Sequence, residues 1–157
     1  MIQISTANAA EDLPEVRKLF LEYQSALGIS LCFQNFDAEL AALPGDYAPP
    51  DGCLLLARYQ EEIAGCIALR ELSDGICEMK RLYVRPEYRG AKIGKALAEA
   101  VIENARRIGY GCMRLDTLPH LEAALSLYKS LGFHEIPPYH DYPMRAVFME
   151  LALAKNI

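Results

Sequence analysis

The chain has no apolar run approaching the roughly 18 residues that a membrane-spanning helix needs, and its opening Met1-Ile2-Gln3-Ile4-Ser5-Thr6 lacks a basic stretch followed by an apolar one. A cytoplasmic chain without a membrane partner is therefore expected. Histidine is scarce, three residues in all with none clustered, and the five cysteines (Cys32, Cys53, Cys66, Cys77 and Cys112) contain no Cys-x-x-Cys pair. That argues against a zinc site or a disulfide framework, so no metal is expected and the cysteines read as small core residues. Positive charge is not in excess either: the net charge is −5, which gives no general attraction to nucleic acid. No internal repeat is present, and both familiar nucleotide loops are missing. Gly90 and Gly94 enclose one residue too few for a Walker A loop, Ala96 stands where its magnesium-binding hydroxyl would be, and there is no Gly-x-Gly-x-x-Gly. Neither a nucleoside triphosphatase nor a dinucleotide enzyme is expected.

What remains is a 157-residue chain with 52% apolar residues, enough for one domain over residues 1–157. Ile2 to Ser5 reads as a strand. Asp12, Pro14 and Glu15 open a helix in which Leu13, Val16, Phe20, Tyr23 and Leu27 recur at helical spacing up to Gly28. A short helix spans about Phe36 to Leu43. Cys53 to Tyr59, Glu62 to Leu69 and Ile76 to Val84 read as an antiparallel meander turning at Gln60-Glu61 and Ser73-Asp74-Gly75. Ile93, Ala96, Leu97, Ala100 and Val101 mark an amphipathic helix running to Ile108 and ending at Gly109. Cys112 to Asp116 is a strand, Leu121 to Tyr128 marks a helix closed by Gly132, and Phe133 to Ile136 and Ala146 to Leu153 are the last strands.

The stretch Met79 to Leu97 carries the most chemistry. An apolar strand passes through a Pro86 turn and the glycine-bracketed basic loop Arg89-Gly90-Ala91-Lys92-Ile93-Gly94-Lys95-Ala96 directly into a helix. Main-chain N–H groups at a helix start have no intrahelical acceptor and sit at the positive end of the dipole, so a pyrophosphate can rest on the backbone itself. Arg89, Lys92 and Lys95 add cations there.

This loop resembles the Arg/Gln-x-x-Gly-x-Gly/Ala pyrophosphate loop of the GNAT superfamily, the acetyl-CoA-dependent N-acetyltransferases. Arg89 is first, Lys92 stands where the family usually has its first glycine, and Gly94 is the second. Ala124-Leu125-Ser126-Leu127-Tyr128-Lys129-Ser130-Leu131-Gly132-Phe133 is similar to the family's Ala-x-x-Leu-Tyr-x-x-x-Gly-Phe segment. Leu121 occupies the place of a frequent asparagine. The likeness covers nearly the whole chain and is strongest from Ile76 to Phe133. It implies an α/β (α+β) fold: a single domain with a mixed, mostly antiparallel central sheet of about seven strands, flanked by four helices and splayed between the fourth and fifth strands.

The resemblance also implies an activity, transfer of acetyl from acetyl-CoA to a primary amine by direct attack in a ternary complex. Leu82, Tyr83 and Val84 would offer a main-chain edge to the pantetheine arm and an oxyanion donor. Tyr128 corresponds to the tyrosine that protonates the leaving thiolate. Glu78 corresponds to a glutamate that some members use as general base, a role that burial would favour by raising its pKa. Each has an alternative reading as ordinary structure: Tyr128 continues an apolar stripe, and Glu78 could be a solvent-facing or ion-paired strand residue. Phe33, Tyr139, His140 and Arg145 lie in the two loops expected to overhang the acceptor. The expected partner is a small-molecule amine, a homodimer being left open. A protein N-terminus or lysine as acceptor, and a coenzyme A sensor without turnover, are the alternatives.

Overall fold

The computed structural model describes residues 1–7, 9–31 and 34–153. The elements are β1 (Ile2–Thr6), α1 (Leu13–Leu27), α2 (Phe36–Ala42), β2 (Cys53–Tyr59), β3 (Glu62–Ser73), β4 (Ile76–Val84), α3 (Ile93–Ile108), β5 (Cys112–Thr117), α4 (Glu122–Ser130), β6 (His134–Ile136) and β7 (Val147–Ala152). Short 3-10 turns lie at Gly45–Tyr47 and Pro86–Tyr88. Type and order agree with the periodicity throughout. The largest boundary difference is in β3, which runs past Leu69 to Ser73 because Arg70 and Glu71 stay in register with Glu78 and Cys77 of β4. Asp12 marks the start of α1 without capping it. Its carboxylate lies 3.7 Å from Arg58 instead.

The strands form one seven-stranded sheet in the order β1-β2-β3-β4-β5-β7-β6. Neighbours are antiparallel except β4 and β5, which are parallel and joined through α3. Alternate residues of β2 feed opposite faces: Leu55 and Ala57 pack in the cluster under α3, whereas Leu54 and Leu56 join α1 and α2 on the other side. This explains the unbroken apolar run at Cys53–Ala57, since a strand covered on both faces need not alternate. The stripe Ile93, Leu97, Val101 and Ala105 of α3 is buried, and that burial fixes the helix against the sheet.

One local detail positions the site. β4 pairs with β5 only at Ile76, Cys77 and Glu78, opposite Cys112, Met113 and Arg114. Beyond Glu78 the two strands part, so the main chain of β4 from Met79 to Val84 faces no strand on that side. A bulge sharpens the divergence: the β3 register jumps between Cys66 and Ala68, and Arg81 opposite the jump takes a left-handed conformation (φ 61°). The splay therefore opens at the carboxyl ends of two parallel strands, where open α/β sheets bind their ligands.

Candidate active site

The loop after β4 forms the first part of the site. Arg89 closes it by donating from Nε to the Val84 carbonyl at 3.2 Å. Gly90 (φ 93°) and Lys92 (φ 64°) both adopt left-handed conformations, and the first helical bond of α3 runs from the Ala96 N–H to the Lys92 carbonyl at 3.1 Å. Among the described residues, no N–H from Gly90 to Lys95 donates to a main-chain carbonyl. These donors lie together at the start of a 16-residue helix, with the Lys92 and Lys95 side chains exposed around them. The conformation of Lys92 differs from the helical one that would best suit its side chain. It accounts for the glycine common at this place in similar loops.

A Cβ built at Gly94 would meet Val84 Cγ2 at 3.8 Å and Leu127 Cδ2 at 3.9 Å, ordinary contacts, and the φ of Gly94 is not left-handed. Nothing in the protein's own packing requires glycine at 94. Unpaired donors, flanking cations and a bare Cα fit a pyrophosphate. Ile93 anchors the arrangement from beneath, fully buried in the core, while Ala91 and Ala96 are half-buried beside it.

The second part is a slot of about 50 Å³ in the splay, lined by Tyr23, Lys80, Leu82, Asp116, Leu121 and Tyr128 among others. Tyr128 reaches it from α4, held edge-on against Phe133 at 5.8 Å. Its hydroxyl has no hydrogen-bond partner among the described residues. None of their fully buried side-chain polar atoms is left unpaired, so that hydroxyl is not sealed in the core, and Tyr128 lines the slot. Burial raises the phenol well above its ordinary pKa, with Tyr23 and Asp116 adding to the effect. It stays protonated until a strong base forms beside it. Tyr83 is buried on the opposite face of β4, 6.4 Å from the Tyr23 ring, so it can offer the slot only its main chain. Val84, half-buried, ends the strand.

The third part is a chamber of about 660 Å³ between α2, the Gly45–Tyr47 turn, β3, β4 and the loop before β7. Glu78 lies on its floor, 1% exposed. Arg70 approaches Oε1 with Nε and Nη2, both at 2.9 Å, and the Tyr139 hydroxyl donates to Oε2 at 2.7 Å. The expected upward shift does not occur. Burial pushes this carboxyl up, but Lys80, the Tyr139 hydroxyl and Arg70 together outweigh it and hold the group below its ordinary range.

His140 also lines the chamber, with Nε2 2.8 Å from Asp116 Oδ2 and Nδ1 2.7 Å from the Asp141 carbonyl. Lys80 lines both cavities and donates to Gln34 Oε1 at 3.1 Å. Tyr139 and His140 thus come together as the sequence suggested. Arg145 does not join them: it is exposed and lines neither cavity. Phe33 lies outside the described residues.

Sequence reasoning missed the side chains that order this chamber. Arg81 is 3% exposed, forks onto both oxygens of Glu39 at 2.8 and 2.9 Å, and lies over the Phe36 ring at 5.2 Å. Asp116 reads in sequence as one more polar residue on an alternating strand. The only available signal was positional, its place at the carboxyl end of a strand at the parallel crossover. Ligand atoms of Glu78, Asp116 and His140 lie within 4.8 Å of one another. Arg70 and Lys80 already bring positive charge to this cluster.

The sequence profile of the Acetyltransferase (GNAT) family matches residues 13–133. An uncharacterized N-acetyltransferase of Schizosaccharomyces pombe is 43% identical over 98% of this chain and 96% of its own length. Among solved structures, a GNAT-family acetyltransferase from Staphylococcus aureus superposes with a TM-score of 0.82 at 24% identity, covering 98% of this chain and all of its own. The Salmonella typhimurium protein yncA, solved with its cofactor acetyl-CoA, gives 0.69 at 20% identity over 99% and 95% of the two chains. With the cradle, the splay and the tyrosine in the places described, this chain belongs to the GNAT family and is an N-acetyltransferase.

Proposed function

We propose that the enzyme transfers acetyl from acetyl-CoA to a primary amine of a small metabolite, by direct attack within a ternary complex. One observation supports this best: the chamber and the slot meet, sharing Lys80 and bridged by the Asp116–His140 contact. A thioester in the slot would face an amine in the chamber. At about 660 Å³ the chamber has the size of a small-molecule site. The Gly45–Tyr47 turn and the Tyr139–Asp141 loop cover it on two sides, leaving less room for a folded protein than for a metabolite.

In this reading the N–H groups from Gly90 to Lys95 hold the pyrophosphate, with Arg89, Lys92 and Lys95 screening its charge. The edge of β4 along Leu82, Tyr83 and Val84, which faces no strand on the β5 side, aligns the pantetheine arm and supplies an oxyanion donor. Nitrogen attacks the carbonyl carbon, the C–S bond breaks, and Tyr128 protonates the departing sulfur. The second amine proton restores the phenol. Thiol release from acetyl-CoA, measured against a panel of small primary amines and short peptides, tests the proposal. Turnover of small amines is expected; turnover of peptides alone would reassign the acceptor, and coenzyme A binding without any turnover would favour a sensor.

A further inference from the structure

The reaction needs a group to take a proton from the incoming ammonium, and Glu78 is badly placed for it. Both of its oxygens are engaged, it is almost fully enclosed, and its neighbours hold it ionised. A weak base already saturated with donors gains little from another proton.

Asp116 has what Glu78 lacks. Its side chain is 12% exposed and lines the slot in company with Tyr128. Oδ2 is 2.8 Å from His140 Nε2, whereas Oδ1 has no partner among the described residues. No fully buried polar atom in that set is unpaired, so Oδ1 faces open space in the slot. The ring it touches has a defined polarity. His140 Nδ1 lies 2.7 Å from the Asp141 carbonyl, an oxygen that can only accept, so the hydrogen of a neutral ring belongs on Nδ1. Nε2 is then the nitrogen with the lone pair, and its 2.8 Å contact with Asp116 Oδ2 requires one proton that the two groups share. The ring is clamped edge-on by Tyr139 and Phe148, each at 5.0 Å.

Resting on the N-acetyltransferase reading above, we propose that Asp116 receives the acceptor's ammonium on Oδ1 and that Asp116 and His140 together carry off its proton. One N–H bond of the ammonium breaks as Oδ1 takes its proton, while the proton already shared between Oδ2 and Nε2 moves onto Nε2. The imidazolium so formed loses one proton to water in the chamber, and the proton on Oδ1 takes the vacated place between Asp116 and His140, which restores the pair. The neutral amine is left beside the slot with its lone pair free to attack. Glu78 is then a positioning residue, fixing Arg70 and Tyr139, which in turn shape the chamber wall.

Several charged or titratable groups face this pair. Lys80 and Glu78 come from β4, and Tyr139 and Tyr142 from the loop before β7. Tyr23 comes from α1 and Tyr128 from α4. Lys80 is the nearby cation that would repel a second ammonium, which favours acceptors with one amine at the reacting end.

The test compares Asp116→Asn, His140→Gln and Glu78→Gln with wild type, using whichever panel amine wild type acetylates fastest, from about pH 6 to pH 10. For Asp116→Asn, kcat/KM for the amine should fall on the order of 100-fold at neutral pH. The deficit should shrink as pH rises and solution supplies free amine, with coenzyme A affinity unchanged. His140→Gln should show the same narrowing from a smaller deficit, and Glu78→Gln a deficit that does not vary with pH. Rates for Asp116→Asn within about twofold of wild type, or a deficit constant across pH, would overturn the proposal. If Asp116→Asn loses coenzyme A binding through misfolding, the His140→Gln profile decides, a flat deficit being the contrary result. A wild type that binds coenzyme A yet acetylates no amine removes the parent reading, an outcome separable from failure of Asp116 alone.

Discussion

The two halves of the site are built from different materials. The cradle after β4 is made of main chain: unpaired N–H groups, left-handed residues at 90 and 92, and a bare Cα at 94. The chamber is made of side chains that hold one another across the fold, Tyr139 to Glu78 over 61 residues, Arg81 to Glu39 over 42 and His140 to Asp116 over 24. A backbone site tolerates side-chain truncation but not intrusion. A side-chain site tolerates neither loss nor mispairing, since removing one partner leaves the other charge buried.

The sharpest break in that contrast is Glu39→Ala. It strands the Arg81 guanidinium, 3% exposed, so unfolding free energy should fall by about 3 kcal/mol in urea titration. Loss of less than about 1 kcal/mol would mean that Arg81 finds other support and that the chamber is less interlocked than its contacts suggest. Next in size is Tyr128→Phe. It should lower kcat on the order of 100-fold with coenzyme A affinity intact, because only the proton is removed and the ring still packs on Phe133. An unchanged kcat measured by thiol release would return Tyr128 to the core.

Gly94→Ala tests the cradle from the other side. The methyl has room in the protein and sits in a helix, so melting temperature should hold or rise. Coenzyme A affinity by calorimetry should fall about tenfold, or roughly 1.4 kcal/mol, because the space belongs to the guest. Equal affinity would move the pyrophosphate elsewhere.

Smaller still is the acid response of the chamber. Lys80, the Tyr139 hydroxyl and Arg70 hold the folded pKa of Glu78 below the ordinary glutamate value of 4.5, so its contribution to stability is present above that value and lost as pH falls through the lower folded one. Wild type should therefore lose stability below about pH 4.5 more steeply than Glu78→Gln does in parallel urea titrations. Equal slopes would mean that the ion pair contributes nothing. The mildest change is Lys92→Gly, which removes a left-handed side chain and should raise unfolding free energy by up to about 1 kcal/mol while costing little affinity.

The cradle was legible because its parts are adjacent in sequence: a strand end, a turn proline, a glycine-bracketed loop and an amphipathic helix follow one another from Met79 to Leu97. The place of Tyr128 on its helix was legible through its neighbours for the same reason. Glu78 was placed on the right strand but given the wrong electrostatics, because the Tyr139 hydroxyl and Arg70 that offset its burial arrive from other strands and loops. Asp116 was not seen at all. A charged residue on an alternating strand looks solvent-facing until its neighbour strand is known to have left.

Sequence alone determined the strands and helices, the buried stripes and the glycine-bracketed turn that opens α3, all of which rest on periodicity and local backbone chemistry within a few residues. Tertiary structure alone decided where β4 and β5 separate, which carboxylate is tied and which has an open oxygen, and how chamber and slot meet. Those depend on charges and donors brought together over tens of residues, and in a low-dielectric interior a few ångströms of approach set the protonation and pairing of each.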